Sequence, residues 1–307
     1  MSPAPGERPN YYAAVPLDRR TERRHDRTWI EELLRRETSR VIPVWRSQNL
    51  IAGIGVEPRA AWLTVAQVET WIGGAEPVFL GLAEDVAHFA LDLSHLEDPA
   101  SAARTGAAFT DLRSVGAVMP HDDGALLAYA RGLAHWHSRH RFCGVCGHGT
   151  FSEEAGHQRR CGNAACNAVH FPRTDPAVIM LVHDGDRIIL GRQAQWPAGM
   201  HSVLAGFVEP GESLEEAVAR EVMEEVGIPV ADVRYQSSQP WPFPSSIMLG
   251  FMARALTTEI RLSPDEIETA AWYSRDDLRR SPENESFRLP RRDSIARRLV
   301  EDWLAAG

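Results

Sequence analysis

Short apolar runs separated by turns fill the first part of the chain. Each run has four or five residues, which is too short for a helix and typical of a strand. The runs are Val41–Val44, Ala61–Val65, Val78–Leu82 and Phe89–Leu93. From Gly124 to His140 the apolar residues recur at helical spacing instead. The pattern predicts a small strand-rich domain that ends in a helix.

A different pattern begins near residue 173. Pro176–Val182 is a continuous apolar run, typical of a strand buried on both faces. Asp184 and Gly185 then predict a hairpin turn. Further elements are predicted as strands at Arg187–Leu190, Val203–Phe207 and 247–254, helices at 213–226 and near 293–304, and an irregular loop at 239–246. The second part of the chain therefore predicts an α/β domain.

These patterns divide the chain into three predicted domains, at 1–139, 140–172 and 173–307. Residues 1–10 are rich in proline and are predicted to be disordered. Five arginines between Arg19 and Arg27 lie on a predicted helix that runs into Trp29. This basic face could meet phosphates, but a solvated helix face is the simpler interpretation.

The predicted helix at 213–226 is marked at both ends. Ser213 and Glu216 have the spacing of a capping box, in which each side chain accepts a hydrogen bond from the other residue's backbone amide. Gly227 stands where a helix favours a left-handed terminal residue. The two signals together predict where the helix begins and where it ends.

Carboxylates continue the buried face of this helix. At 100° per residue, the apolar stripe that contains Leu214, Ala217 and Val218 runs on to Glu221 and Glu225. Neighbouring buried carboxylates repel one another and require a neutralising cation. The alternative, a solvated acidic end, would place negative charge at the negative pole of the helix. The sequence therefore predicts a site for a hard divalent ion, Mg²⁺ or Mn²⁺.

All four cysteines lie within one short segment. They form two close pairs, Cys143 with Cys146 and Cys161 with Cys166. Clustered cysteines without an export signal favour metal binding over disulfides. Four thiolates complete a tetrahedral zinc shell and leave no position open for chemistry. We predict one structural zinc ion, and we do not count His135, His137 or His140 among its ligands.

Composition narrows the class of protein further. The chain has 307 residues and a formal charge of −9, which argues against non-specific coating of nucleic acid. All 33 cationic side chains are arginine, so mechanisms that need a Walker-A lysine or a Schiff base are excluded. No apolar run approaches the roughly 18 residues of a membrane span, and no signal peptide is evident. A cytoplasmic protein is expected.

The carboxylate helix and the residues before it resemble the Nudix box. The box reads Gly-x5-Glu-x7-Arg-Glu-aliphatic-x-Glu-Glu-x-Gly-aliphatic, and the chain matches every defined position. The matching residues are Gly206, Glu212, Arg220, Glu221, Val222, Glu224, Glu225, Gly227 and Ile228. The resemblance implies a Nudix α/β/α sandwich with a mixed sheet, and an enzyme that cleaves a P–O–P bond.

A second motif resembles the NADH pyrophosphatase subfamily. Ser238 to Ser246 read SQPWPFPSS, similar to the Ser-Gln-Pro-Trp-Pro-Phe-Pro-x-Ser array of those enzymes. A four-cysteine zinc ribbon between an N-terminal domain and the Nudix domain resembles the same subfamily. Two features depart from it. The second cysteine pair is Cys-x4-Cys where many bacterial members have Cys-x2-Cys, and Phe171 stands where an aromatic residue with a hydroxyl is often found.

The resemblance also implies roles for residues. The implied metal ligands are Glu221, Glu224, Glu225, the carbonyl of Ala205 and Glu266, with Glu268 as the alternative to Glu266. Arg220 is expected to pair with Glu212 or with a glutamate of the box, and so to orient the ligands rather than touch substrate. Glu225 and Glu266 both remain candidates for the general base.

Rigid aromatic residues are the candidates for substrate binding. Three prolines are predicted to lock residues 239–246 as an extended loop that holds Trp241 and Phe243 out for stacking on a nicotinamide or adenine ring. Packing of both rings into the core is the alternative. Phe207, beside the box glycine, is a further stacking candidate. The other candidate contacts are Phe171, Arg113, Gln239, Pro240, Pro242, Pro244, Ser245, Ser246 and Ala296.

Together these features favour an NAD(H) pyrophosphatase that yields nicotinamide mononucleotide and AMP, with NAD-capped RNA as a related substrate. A broad pyrophosphatase of FAD, diadenosine compounds or ADP-ribose is the alternative within the class. A non-enzymatic regulator with a zinc ribbon is the alternative outside it, but four positioned glutamates argue against that. The resemblance implies a homodimer.

Overall fold

The computed structural model describes residues 9–72, 74–99, 106–262, 266–281 and 283–306. The chain forms two compact units. The C-terminal unit contains Met1–Tyr11, Asp175–Pro240 and Ser246–Gly307, and the N-terminal unit contains Tyr12–Thr174 and Trp241–Ser245. The predicted disorder of residues 1–10 falls almost entirely outside the described residues. The division into three domains stays a prediction.

In the part of the chain that the structure describes, the N-terminal unit is built on a seven-stranded sheet. Its strands are Arg40–Trp45 (β1), Gln48–Ala52 (β2), Arg59–Ala60 (β3), Leu63–Thr64 (β4), Val78–Ala83 (β5), Val86–Asp92 (β6) and Ala108–Thr110 (β7). Among the described residues, its helices are Arg27–Leu34 (α1), Val65–Ile72 (α2), Leu112–Val115 (α3) and His121–Arg139 (α4). The order β3-β2-β1-β6-β5 contains one parallel pair, β1 with β6. Strands and a closing helix were predicted here and are confirmed.

Two predictions for this unit need correction. Ala61–Val65 yields only the two-residue strand β4 before α2 begins, so the second apolar run is not a full strand. The arginine-rich helix is also wrong in extent, because residues 21–23 form a 3₁₀ turn and α1 begins at Arg27. Asp26 fixes that start, since its side chain accepts a hydrogen bond from the backbone amide of Trp29.

The cysteine segment forms a separate small sheet within the N-terminal unit. Its strands are Thr150–Glu153 (β8), Gln158–Cys161 (β9) and Val169–His170 (β10), in the order β10-β9-β8. Both strand pairs are antiparallel. The segment is therefore a three-stranded ribbon.

Two half-buried histidines attach this ribbon to the rest of its unit. His137 places Nε2 2.8 Å from the carbonyl oxygen of Gly156 and Nδ1 2.8 Å from Nη1 of Arg159. A carbonyl only accepts and a guanidinium only donates, so the ring is neutral with its proton on Nε2. His157 Nε2 lies 2.7 Å from the carbonyl oxygen of Phe79. Burial lowers the pKa of both histidines to about 4, so both hydrogen bonds are those of neutral rings.

The described residues of the C-terminal unit form a six-stranded mixed sheet. Its strands are Asp175–His183 (β11), Arg187–Arg192 (β12), Leu204–Phe207 (β13), Val230–Trp241 (β14), Ser246–Ala255 (β15) and Thr269–Ser274 (β16). Its helices are Leu214–Val226 (α5), Arg275–Arg280 (α6) and Ile295–Ala305 (α7). The order is β14-β15-β11-β12-β16, and β13 pairs with β11. β11 runs parallel to β15 and antiparallel to β12 and β13.

Helices cover both faces of this sheet. Alternate residues of β11 point to opposite sides, so Val178 packs in one core with Val218 of α5. Ile179 packs in the other core with Leu299 of α7. The predicted α/β/α sandwich is confirmed. Across the described residues, no helix is both long and apolar enough to cross a membrane.

The predicted loop at 239–246 is wrong for its first three residues. β14 continues through Gln239 and Pro240 to Trp241 before the chain turns into β15. Of the strands that the structure describes, β14 lies at one edge of the sheet. A proline that lacks an amide hydrogen is tolerated at an edge, where one side of the strand has no partner. The irregular part is therefore limited to 242–245.

Candidate active site

The sequence holds α5 in position at both ends. The hydroxyl of Ser213 accepts from the backbone amide of Glu216, and the Glu216 carboxylate accepts from the backbone amide of Ser213 at 2.8 Å. Gly227 ends the helix in the left-handed region with φ 68°, and its amide donates to the carbonyl of Met223. The capping box and the left-handed glycine at the end of the helix are both confirmed. They fix the first and last residues of α5 and so fix the positions of its glutamates along the helix.

Arg220 connects the carboxylates of the box. Its Nε and Nη2 donate to the two oxygens of Glu212 at 2.5 and 3.0 Å. Its Nη1 donates to Glu221 at 2.9 Å and to Glu224 at 2.8 Å. Nη2 also donates to the carbonyl oxygen of Phe207. One guanidinium therefore orients three glutamates, as the sequence led us to expect.

Glu225 is the most deeply buried carboxylate of the cluster, with 4% of its surface exposed. Burial raises the pKa of Glu225 to about 8, and the charges of Glu221 and Glu266 add to the rise, whereas the backbone amide of Ala205 opposes it. Among the described residues, its Oε2 has no hydrogen-bond partner. A buried carboxylate with an unpaired oxygen fits a bound cation.

The backbone of β13 comes close to these glutamates at Gly206. A Cβ atom added there would lie 1.8 Å from the Cδ of Glu221 and 1.9 Å from its Oε1. Only glycine therefore allows the carboxylate to rest against the strand. Because Ala205 precedes Gly206 on β13 and its amide acts on Glu225, the strand also fits the implied metal ligand at the Ala205 carbonyl.

The loop before β16 supplies a further carboxylate. The charge of Glu266 contributes to the raised pKa of both Glu221 and Glu225, which places Glu266 at the cluster. Glu268 instead forms an ion pair with Arg192 at 2.8 Å. The geometry favours Glu266 over Glu268 as the fifth carboxylate.

The donor set fits a hard divalent cation. Five carboxylates converge here, and the guanidinium of Arg220 pairs with three of them. The five are Glu212, Glu221, Glu224, Glu225 and Glu266. All these donors are oxygens, which Mg²⁺ and similar ions prefer. A divalent cation would offset the excess negative charge and take the unpaired oxygen of Glu225.

The four cysteines meet at one point of the ribbon. Their sulfur atoms all lie within 4.8 Å of one another. The Sγ atoms of Cys143 and Cys166 are 3.9 Å apart, and those of Cys146 and Cys161 are 3.4 Å apart. Zinc–sulfur bonds of about 2.3 Å put the corners of a tetrahedron about 3.8 Å apart. His170 places Nε2 3.3 Å from the sulfur of Cys143, in the position of a residue that supports a ligand.

The predicted stacking residues are found in different environments. Phe207 of β13 is 61% exposed beside Gly206. Phe243 is 7% exposed, and its ring packs on Tyr12 at 5.8 Å and Trp241 at 5.0 Å. The prediction that Phe243 is held out is therefore wrong, because Tyr12 and two arginines cover it. Trp241 is half-buried and packs edge-on against Tyr12 at 6.1 Å.

Two arginines hold the proline-rich turn. The guanidinium of Arg113 lies over the Phe243 ring at 4.7 Å and donates to the carbonyl of Phe243. Arg131 lies over the same ring at 4.9 Å and donates to the carbonyl of Pro242. Arg113 was a candidate for substrate binding, but its contacts are to the turn. The sequence analysis does not name Arg131 as a candidate, because the pattern of the helix around it does not indicate a contact with a residue distant in sequence.

Gln239 and Ala296 have structural contacts. The Gln239 side chain is 1% exposed, donates to the carbonyls of Tyr11 and Asp293, and accepts from the backbone amide of Ile295 at 2.7 Å. Its amide therefore caps the start of α7. Ala296 is buried, and its backbone amide donates to Ser294. These contacts disagree with a direct role for Gln239 in binding substrate.

The remaining candidates are spread over both units. Phe171 is 61% exposed after β10, in the N-terminal unit. Pro242 is buried, Pro244 is exposed and Ser245 is half-buried in the turn. Ser246 begins β15. Their contact with substrate stays a prediction.

Three domain models match the chain in the order expected. The "NADH pyrophosphatase-like rudimentary NUDIX domain" matches residues 38–136, the "NADH pyrophosphatase zinc ribbon domain" matches 138–171, and the "NUDIX domain" matches 173–296. The ribbon match and the four clustered sulfurs make this a structural zinc site, and the Nudix domain implies a catalytic divalent metal.

Curated relatives cover most of the chain. A protein named NAD-capped RNA hydrolase NUDT12, from Macaca fascicularis, is 35% identical over 96% of this chain and 73% of its own length. A protein named NAD-capped RNA hydrolase NudC, from Mycobacterium bovis, is 44% identical over 75% of this chain and 76% of its own length. The chain therefore belongs to the Nudix hydrolases, within the NADH pyrophosphatase subfamily that carries a zinc ribbon.

Proposed function

We propose that this chain hydrolyses the pyrophosphate bond of NAD(H) to nicotinamide mononucleotide and AMP, and that it also removes NAD caps from the 5′ end of RNA. The buried Glu225 carboxylate, with one oxygen unpaired among glutamates, carries the proposal, because it fits the divalent cation that such hydrolysis needs. The names of the relatives, NAD-capped RNA hydrolases, support the choice of substrate.

We assign the proposed cation site to Glu221, Glu224, Glu225, Glu266 and the carbonyl of Ala205. Mg²⁺ or Mn²⁺ bound there would offset the charge of the pyrophosphate and lower the pKa of a water molecule. Either Glu225 or Glu266 then accepts a proton from the attacking water as its oxygen bonds to phosphorus. The bond from that phosphorus to the bridging oxygen breaks, and the second phosphate leaves. Arg220 acts on this step only by holding the glutamates.

A turnover assay tests the proposal. With Mg²⁺ or Mn²⁺, NADH is expected to yield equal amounts of reduced nicotinamide mononucleotide and AMP, measured by chromatography. NAD-capped RNA, FAD, ADP-ribose and a diadenosine compound serve as comparisons. Equal kcat/KM on all dinucleotides would favour the broad pyrophosphatase. If no substrate is turned over with either metal present, the proposed activity is contradicted and the alternative of a non-enzymatic regulator is favoured.

Phe207 is the proposed stacking surface, since Phe243 is buried and Trp241 is partly covered. Phe207→Ala is expected to lower kcat/KM for NADH by roughly 5- to 150-fold, the effect of losing about 1–3 kcal/mol of base stacking. Tyr235→Ala is the matched control, because Tyr235 is 58% exposed and lies on β14. Equal kcat/KM for the two variants would contradict the assignment.

We also propose that the protein is a cytoplasmic homodimer. The reduced thiols of a zinc site support a reducing compartment, and the resemblance to the subfamily supports the dimer. Light scattering on the purified protein measures its mass. A mass of one chain at micromolar concentration would contradict the dimer.

A further inference from the structure

A cavity of about 520 Å³ opens within the N-terminal unit, and all its lining residues belong to that unit. Its walls come from the β1–β2 turn, the end of β6, α4 and the ribbon. Four arginines and a half-buried histidine are among the residues that line it, and we call it the arginine cavity. They are Arg46, Arg131, Arg141, Arg159 and His137. The cavity is large enough for a small ligand.

Most of these arginines have no carboxylate partner. Arg131 forms an ion pair with Asp111 at 3.2 Å. Among the described residues, no carboxylate oxygen lies within 4.0 Å of a guanidinium nitrogen of Arg46, Arg141 or Arg159. Two carboxylates, Asp92 and Glu76, also line the cavity. Asp92 accepts two hydrogen bonds from Ser94. Positive charge is thus left unpaired in a chain whose formal charge is −9.

Arg159 is fixed before any ligand arrives. Its Nε and Nη2 donate to the side chain and the carbonyl of Thr150 at 2.8 Å, and its Nη1 donates to Nδ1 of His137. Burial lowers the pKa of Arg159, Glu76 raises it, and the charge of Arg141 lowers it. A guanidinium held in this way loses little conformational entropy when it binds an anion.

The β1–β2 turn holds Arg46 at the rim of the cavity at a cost in backbone strain. Trp45 pairs with Gln48, and the two residues between them have positive φ, 48° at Arg46 and 63° at Ser47. Hairpin turns of this kind favour Asn-Gly, which tolerate positive φ far better than arginine. Strained residues of this type cluster at binding sites. The Arg46 guanidinium lies over the Trp45 ring at 4.6 Å.

We propose that the arginine cavity binds a phosphate monoester dianion, such as inorganic phosphate or the phosphate of a mononucleotide. Guanidinium groups match the oxygens of phosphate with paired hydrogen bonds. In the described part of the chain, no phenylalanine, tyrosine or tryptophan side chain lines the cavity, so it lacks the broad stacking surface that single-stranded RNA sites use. This favours a small phosphate over an RNA strand. Such binding does not depend on the hydrolysis proposed above.

Equilibrium dialysis with radioactive orthophosphate tests the proposal on the full-length, zinc-loaded protein without Mg²⁺ or Mn²⁺. The wild type is expected to retain about one phosphate per chain at saturation. Arg46→Gln and Arg141→Gln are each expected to weaken the affinity by about 10-fold or more, the effect of losing a charged hydrogen bond. Both side chains are exposed, so the variants are expected to fold. Arg36→Gln, an exposed arginine outside the cavity, is the charge-matched control and is expected to bind as wild type.

Competing ligands identify the group that is recognised. AMP is expected to displace phosphate, and adenosine is not. Three results would each overturn the proposal. The first is that the wild-type protein binds no phosphate at millimolar concentration. The second is that the wild type and the three variants bind phosphate with equal affinity. The third is that an oligoribonucleotide with a 5′-hydroxyl displaces phosphate at a lower concentration, counted per phosphate group, than AMP does. The last result would indicate an RNA site.

Discussion

Glu225→Gln is expected to lower kcat on NADH by about 100-fold or more. The substitution keeps the volume of the side chain and removes one charge from the cluster. That charge lies deepest in the site, where burial raises the pKa of Glu225 to about 8 without a bound cation. The loss follows whether Glu225 holds the metal, accepts the proton or does both. Steady-state kinetics at saturating Mg²⁺ measure the effect.

Glu215→Gln provides the matched control on the same helix. Glu215 is exposed in the first turn of α5 and is outside the contacts of Arg220. Its kcat is expected to stay within about 2-fold of wild type, because a surface substitution of this kind has little effect. Both variants are expected to keep the wild-type circular dichroism spectrum. Wild-type turnover by Glu225→Gln would remove Glu225 from the proposed active site.

Cys143→Ser is expected to abolish zinc binding and to destabilise the N-terminal unit. The ribbon has three short strands and depends on the metal for its folding energy. Its zinc content is expected to fall from about one ion per chain to nearly none. The Tm of the N-terminal unit is expected to drop by about 10 °C or more, which corresponds to roughly 3 kcal/mol or more for a unit of this size. Atomic absorption and calorimetry measure the two changes.

Val145→Ser is the control for Cys143→Ser. It distinguishes loss of the zinc ion from a general effect of substitution in this turn. Val145 lies between the first two cysteines, and 75% of its side chain is exposed. Its zinc content and Tm are expected to match wild type. A wild-type protein that is fully folded and free of zinc would contradict the structural zinc site.

The sequence predicts α5 and the positions of its glutamates well, because their determinants are close together along the chain. The capping box of Ser213 and Glu216 spans four residues and acts through local hydrogen bonds. The spacing of Glu221 and Glu225 follows from the helical repeat alone. Gly206 lies only a few residues before the helix. The same reasoning fails where the partner of a residue is distant in sequence.

Gln239 and Phe243 show that failure. The proline-rich pattern around them indicates rigidity but does not indicate which surface the side chains meet. Gln239 bonds to the start of α7, 56 residues later at Ile295. Phe243 packs against Tyr12 and beneath Arg131, which lie far earlier in the chain. A single sequence contains no signal for such pairs, so burial of these side chains could not be predicted.

The path of the chain through the two units affects the order in which they are completed during synthesis. Trp241–Ser245 belong to the N-terminal unit, yet Trp241 follows Thr174 by 67 residues. A ribosome that adds about 5–20 residues per second takes roughly 3–13 seconds over that stretch. During this time Tyr12 and Arg131 have already been synthesised, but the Phe243 ring against which they pack has not. The N-terminal unit therefore emerges first but reaches its final packing only after most of the C-terminal sheet has been translated.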